Sequence, residues 1–493
     1  MKVIVIGAGI AGLAASLRLA SKGYEVEVYE ANSYPGGKLS EFQLGNYRFD
    51  AGPSLFTLPH LVEDLLLAAG KNPKEVFSYI KLDKTCNYFY EDGTRFSAYA
   101  DINLFEKELK NQLGIETDEL KNYLKKAEYK YQKTANLFVE DTLHRFSHYK
   151  FRETIAGILA MPQLDLFQSM NEVNEKSFSS KHLVQYFNRF ATYNGSNPYL
   201  APGLLNMIPH LEHNIGSFFP TKGMYHITQT IYETCLEKGV VFHFNQRVDE
   251  ILVSDKKIKG IRIGEREIPS DLVVSNMDVF PLFRKLLKKQ KQPEKILQQE
   301  KSSSALIFYW GIKKSFPELS LHNIFFAEDY KKEFDVLFNQ KSIDSDPTVY
   351  INISSKYKAD DAPQNCENWF VMINVPFNDG SQNWDELIKS AKENVIKKLN
   401  RILNVKLEDL IEEEDILDPR LIEKKTSSYG GALYGNASNN RYAAFLRHKN
   451  FSSDIKGFYL CGGSVHPGGG IPLCLNSGKI VSELILEDYG TIS

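Results

Sequence analysis

The first thirty residues, MKVIVIGAGIAGLAASLRLASKGYEVEVYE, constrain the fold more than any other stretch. Val3 to Ile6 is a continuous apolar run, too short for a helix and rich in β-branched residues, which predicts a fully buried strand of a parallel sheet. It runs straight into Gly7-Ala8-Gly9-Ile10-Ala11-Gly12. Gly7 allows the tight turn, Gly9 lets a pyrophosphate approach the backbone, and Gly12 lets the following helix pack closely on the strand. The helix's first-turn N–H groups are unpaired and sit at the positive end of its dipole, worth roughly half an elementary charge. A dinucleotide phosphate is expected there. Glu25 to Tyr29 alternates as a second strand and ends at Glu30, where a carboxylate binds both ribose hydroxyls and repels a 2′-phosphate.

At 493 residues the chain is long enough for two or three interleaved subdomains. A net charge of −3 gives no general attraction to nucleic acid, which is excluded as a partner. Cys86, Cys235, Cys366, Cys461 and Cys474 are scattered, odd in number and never in a CxxC pair, so neither a disulfide framework nor a metal site is expected and a reducing compartment is the default. The N-terminus reads as a strand of the fold and no apolar window is long enough to span a bilayer. A soluble or membrane-associated protein is expected.

Along the chain, Pro35-Gly36-Gly37-Lys38 either places backbone N–H groups and a cation beside a ligand or is a turn before a strand at Leu39 to Phe42. Asp50-Ala51-Gly52-Pro53-Ser54 is a turn able to lay main chain against a cofactor. Tyr88 to Phe96 carries Asp92-Gly93 between aromatic strands and predicts a hairpin. From Ile102 to about Asn188 the pattern is helical, with charged stretches alternating with apolar ones such as Ile155 to Met161. These helices either rest on a membrane or pack in the core. Phe187 to Tyr199 could line a pocket with Tyr193 and Tyr199, or close a helix on the core. A helix over Tyr225 to Lys238 is followed by strands at Val240 to Val248, Glu250 to Val253, Lys259 to Ile263 and Asp271 to Ser275. Phe283 to Lys291, FRKLLKKQK, is basic and amphipathic, suited to a solvated helix face or to anionic headgroups. Ser304 to Val375 is β-rich, and a helix over Trp384 to Asn400 follows.

Phe458 to Gly463 is again a buried strand running into glycine. It leads to His466-Pro467-Gly468-Gly469-Gly470-Ile471-Pro472, with Pro472 in the first turn of a helix through Leu475 to Leu486. Either this is a glycine loop before an ordinary helix, or the helix N-terminus is aimed at a ligand. If that ligand is an isoalloxazine ring, the dipole favours the negative charge that develops on reduction. His466 is as readily a loop residue as a catalyst.

Taken together, Gly7 to Gly12 with Glu30, Pro35 to Lys38, Asp50 to Ser54, Tyr193-Asn194-Gly195-Ser196-Asn197-Pro198, Phe219 to Gly223, Val274-Ser275-Asn276 and His466 to Pro472 run in the order found in bacterial carotenoid desaturases. The chain resembles that family over essentially its full length, within the larger group of amine oxidase-like FAD flavoproteins, and most nearly the desaturases that form the 3,4 double bond of hydroxylated carotenoids. The resemblance implies FAD, with adenosine near Glu30, Ala31 and Val248, and pyrophosphate at Gly7, Gly9, Ile10, Ala11, Gly12 and Gly463. The flavin would lie near Gly36, Gly37, Lys38, Gly52, Pro53 and Ser54, with its ring against Gly469, Gly470, Ile471 and Pro472. It further implies a lipid-soluble carotenoid substrate, a cytoplasmic protein peripheral to the membrane, and oxygen or a quinone as electron acceptor. Acid and base groups proposed for some relatives fall at Ser180 and Val184, so no catalytic pair is assigned. The competing readings are a phytoene desaturase, an FAD amine oxidase and a redox-silent carotenoid isomerase.

The expected fold is α/β: a Rossmann-like FAD-binding domain, an interleaved β-sheet substrate domain and a helical, membrane-facing insertion. FAD-binding segments are expected at 1–85, 211–285 and 425–493, the helical region at 86–210 and the substrate domain at 286–424.

Overall fold

The computed structural model describes residues 1–115, 118–135, 139–142, 144–145, 160–440 and 447–492. Its organising layer is a parallel sheet of five strands in the order Phe458–Leu460, Leu272–Ser275, Lys2–Ile6, Glu25–Tyr29, Val241–His243. The central strand is apolar throughout because both of its faces are covered. Val3 and Val5 pack with Leu13, Leu17, Ile227 and Val481 from the helices Ile10–Ala20, Tyr225–Glu237 and Ile471–Tyr489. Ile4 and Ile6 point the other way, into Ile251, Ile258 and Ile261 of an antiparallel three-stranded sheet, Glu250–Ser254, Lys257–Ile263 and Arg266–Pro269.

A second sheet of seven strands runs Ile411–Leu417, Ser304–Ile312, Glu367–Val375, Val349–Asn352, His322–Phe325, Lys84–Phe89, Arg95–Tyr99. All neighbours are antiparallel except His322–Phe325 with Lys84–Phe89. The hairpin expected near Tyr88 therefore forms, and it extends this sheet. Strand alternation again sorts the side chains. Leu306, Phe308 and Trp310 pack with Val395 and Leu399 of the helix Trp384–Leu403, while Ala305, Ile307 and Tyr309 face the opposite side with Phe49 and Phe370.

Helices Ile102–Leu113, Asp118–Ala135, Met170–Ser177 and Lys181–Asn188 occupy the stretch expected to be helical. Asp101 caps the first and Gly114 closes it in the left-handed conformation. Phe105, Leu109, Leu124 and Phe187 then pack with Tyr88 and Phe96 of the hairpin. Part of this reading, including the apolar run 155–159, lies outside the described residues. No helix among the described residues is long and apolar enough to cross a membrane.

Two expected elements come out differently. The strand at Val240 to Val248 is only Val241–His243, because Asn245 takes a positive φ of 56° and its N–H, with that of Gln246, turns to the carbonyls of Asn32 and Glu30. That turn brings Val248 towards Glu30. The basic stretch Phe283 to Lys291 is not an extended amphipathic helix: regular structure ends at Leu286. Phe283, Leu286 and Leu287 are buried, while Arg284 pairs with Glu294 at 2.7 Å and Lys289 with Glu250 at 2.6 Å.

Candidate functional site

The five-stranded sheet ends at the glycine turn. Gly7 donates its N–H to the Tyr29 carbonyl at 2.8 Å, tying the turn to the second strand. Gly12 is required by contact: a Cβ there would lie 2.2 Å from the Gly7 carbonyl oxygen. The helix consequently starts against the strand, with Gly9 as an N-cap that offers no side-chain acceptor. Asn276, at the end of the neighbouring strand, fills part of that need. With its amide oxygen turned to the helix it accepts from Gly9 N–H at 3.1 Å and Gly12 N–H at 3.3 Å.

Glu30 is buried at the tip of its strand. One carboxylate oxygen accepts from Ala8 N–H at 2.7 Å and the other from Asn32 N–H at 2.8 Å. A carboxylate has about four acceptor positions, so capacity remains for two hydroxyls. Gly36 crosses the turn at φ 101°, donating to the Ala8 carbonyl at 2.8 Å, with no room for a side chain beside Leu39 and Thr228.

These elements open into a cavity of about 710 Å³. Gly7, Gly9, Ile10, Ala11, Glu30, Ala31, Gly36, Gly37, Lys38, Gly52, Pro53, Ser54, Val248, Gly463, Gly469, Gly470, Ile471 and Pro472 all line it. Gly12 does not, since it packs between turn and helix. Nor do Ser180, Val184, Tyr199 or His466. His466 is buried elsewhere, with Nε2 at 2.8 Å from the Asp141 carbonyl.

Lys38 is fixed by donation to the carbonyls of Leu433 at 2.7 Å and Ala432 at 3.3 Å. Burial pushes its ammonium down to about 8, a shift opposed by Asp278. Asp278, itself raised by burial, accepts from Phe280 N–H at 2.9 Å. Burial pushes the Cys86 and Cys474 thiols on the wall up to about 12 and 11, so both are protonated at neutral pH.

Away from the glycine turn the wall becomes apolar. Ala305, Ile307, Phe370 and Met372 come from the cavity face of the large sheet. Beyond them lies a buried polar group in which Tyr193, expected to line a pocket, meets Glu212 and Arg189. Arg189 Nη2 donates to Glu212 Oε1 at 3.3 Å and Nη1 to the Tyr193 hydroxyl at 3.3 Å, while Tyr193 donates to the other Glu212 oxygen. The guanidinium also lies 4.4 Å from the Phe190 ring centroid. Despite full burial the Glu212 carboxyl is held below its ordinary range, with burial opposed chiefly by Arg189. His322 and Tyr350 of the large sheet complete this end.

His213, His322, His448 and His466 are each pushed down to about 4 by burial. In the unfolded chain each titrates near pH ~6.5. Between those values the unfolded state binds more protons, so this part of the stability is complete above pH ~6.5 and is lost as pH falls towards ~4. The urea midpoint is expected to drop steeply over that interval, each histidine contributing up to about 1.4 kcal/mol per pH unit. A flat midpoint between those limits would contradict neutral, buried imidazoles.

The residues present fit a dinucleotide: the helix start at the turn, a carboxylate with spare acceptors, and a close backbone cradle. Among the described residues no cluster of three His, Cys, Asp or Glu side chains forms a metal site. Comparison with known proteins agrees in fold and in sequence. A 1-hydroxycarotenoid 3,4-desaturase of Flavobacterium sp. (strain P99-3) is 52% identical over 98% of this chain and 99% of its own. A 4,4′-diapolycopene oxygenase of Methylomonas sp. is 31% identical over 99% and 98%. Among solved structures, cyclohexylamine oxidase from Brevibacterium oxydans IH-35A shares the fold, with a TM-score of 0.64 and 15% identity over 99% of each chain. Residues 10–486 match the family model of the flavin containing amine oxidoreductases, so the chain belongs to that family and its cofactor is FAD.

Proposed function

We propose that this protein is an FAD-dependent carotenoid desaturase that forms the 3,4 double bond of a 1-hydroxylated carotenoid during carotenoid biosynthesis. The observation that carries this reading is the single cavity joining the dinucleotide turn to an apolar wall, in a chain 52% identical to a 1-hydroxycarotenoid 3,4-desaturase. In this reading the adenosine is held by Glu30, Ala31 and Val248, and the pyrophosphate by Gly7, Gly9, Ile10, Ala11 and Gly463, with Gly12 serving the close packing of the helix on the turn. The flavin is held by Gly36, Gly37, Lys38, Gly52, Pro53, Ser54, Gly469, Gly470, Ile471 and Pro472. FAD, when bound, supplies the hydride acceptor.

Desaturation breaks two C–H bonds on adjacent carbons and forms one C=C bond. Loss of hydride from an allylic carbon leaves a delocalised cation whose neighbouring proton is acidic, so a strong base is not needed. The chain's contribution is to position and to exclude water. Ala305, Ile307, Phe370 and Met372 present apolar surface to a polyene, and the protonated Cys86 and Cys474 add no charge.

The substrate is lipid-soluble, so the protein works at the cytoplasmic surface of a membrane and passes electrons to oxygen or a quinone. A membrane-facing role for the helical region is supported by Phe167 and Leu200, 74% and 52% exposed, on segments joined by the Ser169–Pro202 bridge. FAD-binding segments at 1–85, 211–285 and 425–493 and a substrate domain at 286–424 are part of this reading; 286–424 supplies five strands of the large sheet, and the hairpin Lys84–Phe89 and Arg95–Tyr99 adds the other two from outside it.

The test is anaerobic mixing of FAD-loaded protein in liposomes with a 1-hydroxylated monocyclic carotenoid, following flavin and polyene absorbance together. Flavin bleaching with a matched red shift of the polyene is expected. Reaction with phytoene alone would move the substrate assignment, and reduction by simple amines with no carotenoid turnover would replace the reading by amine oxidation.

A further inference from the structure

An alcohol carried into a dry cavity needs both an acceptor for its proton and a donor for its oxygen, because leaving a buried hydroxyl unmatched costs about 1–3 kcal/mol. The apolar wall supplies neither. The buried polar group at its far end does, and two of its donors, Arg189 Nε and His322 Nε2, have no hydrogen-bond partner among the described residues.

His322 lines the cavity and is 3% exposed. Its Nδ1 lies 2.7 Å from the Tyr350 hydroxyl and 3.3 Å from Asn352 Nδ2, and the Tyr350 hydroxyl is 2.8 Å from Ser54 Oγ. An amide nitrogen only donates, so Nδ1 is the acceptor and Nε2 carries the proton. Among the described residues that Nε2 has no hydrogen-bond partner. It is a buried donor without an acceptor, fixed in orientation by a chain that starts at Ser54. The second requirement is met nearby. Glu212 lines the same cavity, and its carboxylate, paired with Arg189, has acceptor positions left after Arg189 and Tyr193 are served.

Resting on the desaturase reading above, we propose that His322 and Glu212 read the substrate's hydroxyl: Nε2–H of His322 donates to the alcohol oxygen and the Glu212 carboxylate accepts from the alcohol proton. A plain hydrocarbon end would leave the His322 donor unmatched and offer nothing to the spare acceptor positions of Glu212, so the same pair selects against unhydroxylated carotenoids. Because the hydroxyl oxygen of a 1-hydroxylated carotenoid lies three bonds from C3, this contact also fixes which carbons are presented for reaction. His322 with its proton on Nε2 acts here as a specificity-determining donor and not as the base.

The experiment compares kcat/KM for a 1-hydroxylated carotenoid and its unhydroxylated counterpart in FAD-loaded wild type, His322→Leu, His322→Gln and Glu212→Gln. Binding to dithionite-reduced protein, read from the polyene band, gives a second readout that needs no turnover. Wild type is expected to favour the hydroxylated substrate at least about tenfold. His322→Leu should cut that ratio by about tenfold or more, and His322→Gln, which keeps a donor, should restore part of it. The same order should appear in binding. Equal ratios in wild type and His322→Leu overturn the inference, as does a wild type that does not distinguish the two carotenoids; either result leaves desaturation standing. A wild type that turns over neither carotenoid removes the desaturase reading and this inference with it. The wild-type comparison holds even if a variant fails to fold.

Discussion

Replacing Gly12 with valine is expected to yield protein that is colourless or insoluble, with under about a tenth of the wild-type flavin per chain. Even the first added carbon would lie 2.2 Å from the Gly7 carbonyl and 3.2 Å from Asn276 Cβ. Both are backbone or backbone-anchored, so neither can yield without opening the turn. The helix Ile10–Ala20 must then tilt away from the strand, which breaks the close contact that aims its N-terminus. Flavin absorbance per protein after gel filtration measures the effect. A Gly12→Val protein with full flavin content would show that the turn and helix do not form the cofactor cradle.

Arg48→Met is expected to destabilise the fold by about 3–5 kcal/mol, read as a lower urea midpoint, because it leaves a buried carboxylate without its cation. Arg48 donates to Asp50 at 2.6 Å, to Asp361 at 3.2 Å and to Glu41 at 2.7 Å. Asp361, fully buried, would keep Lys358 at 2.8 Å. Asp50 would keep only the N–H groups of Met224 and Tyr225, each at 2.9 Å, where it holds the start of the helix Tyr225–Glu237. The loss is local to the turn Asp50 to Ser54, so flavin retention should fall with stability. Arg48→Lys should recover only part, since an ammonium cannot reproduce the guanidinium fork. A midpoint within about 0.5 kcal/mol of wild type would show that the network is not load-sharing.

The parallel sheet was readable because Lys2–Ile6, Leu272–Ser275 and Phe458–Leu460 carry apolar runs buried on both faces, and a glycine must follow where backbone meets backbone. The strand reading failed after His243 for an equally local reason. The aromatic pattern continues through Phe244 while the backbone turns at Asn245, and hydrogen bonds to Asn32 and Glu30 decide between them. The basic run after Phe283 keeps its charges exposed, as read, but not on one long helix: regular structure ends at Leu286, and Arg284 and Lys289 pair with Glu294 and Glu250, distant in pattern but near in space. The polar end of the cavity was only partly legible. Arg189 and Tyr193 fall in the stretch Phe187 to Tyr199 read as a pocket wall, whereas Glu212, His322 and Tyr350 come from separate segments with no motif around them. Asn276 appeared in the sequence only as a family-like tripeptide, and its place over the glycine turn needed the strand pairing of Leu272–Ser275 with Val3 to Ile6.

The helix Ile471–Tyr489 packs directly on Ile10–Ala20, with Gly478 so close that a Cβ would come within 2.8 Å of the Ala11 carbonyl. The outer strand of the same sheet is Phe458–Leu460. Synthesis delivers the N-terminus first, so the opening turn leaves the ribosome long before the residues that cover it. A nascent chain stalled before 458 has the strand, the turn and the first helix but neither the sheet edge nor Gly463 to Pro472. Completion of the cavity therefore waits until Gly463 to Pro472 have been made. Until Ile471–Tyr489 has followed, the side of the first helix that packs on it stays uncovered.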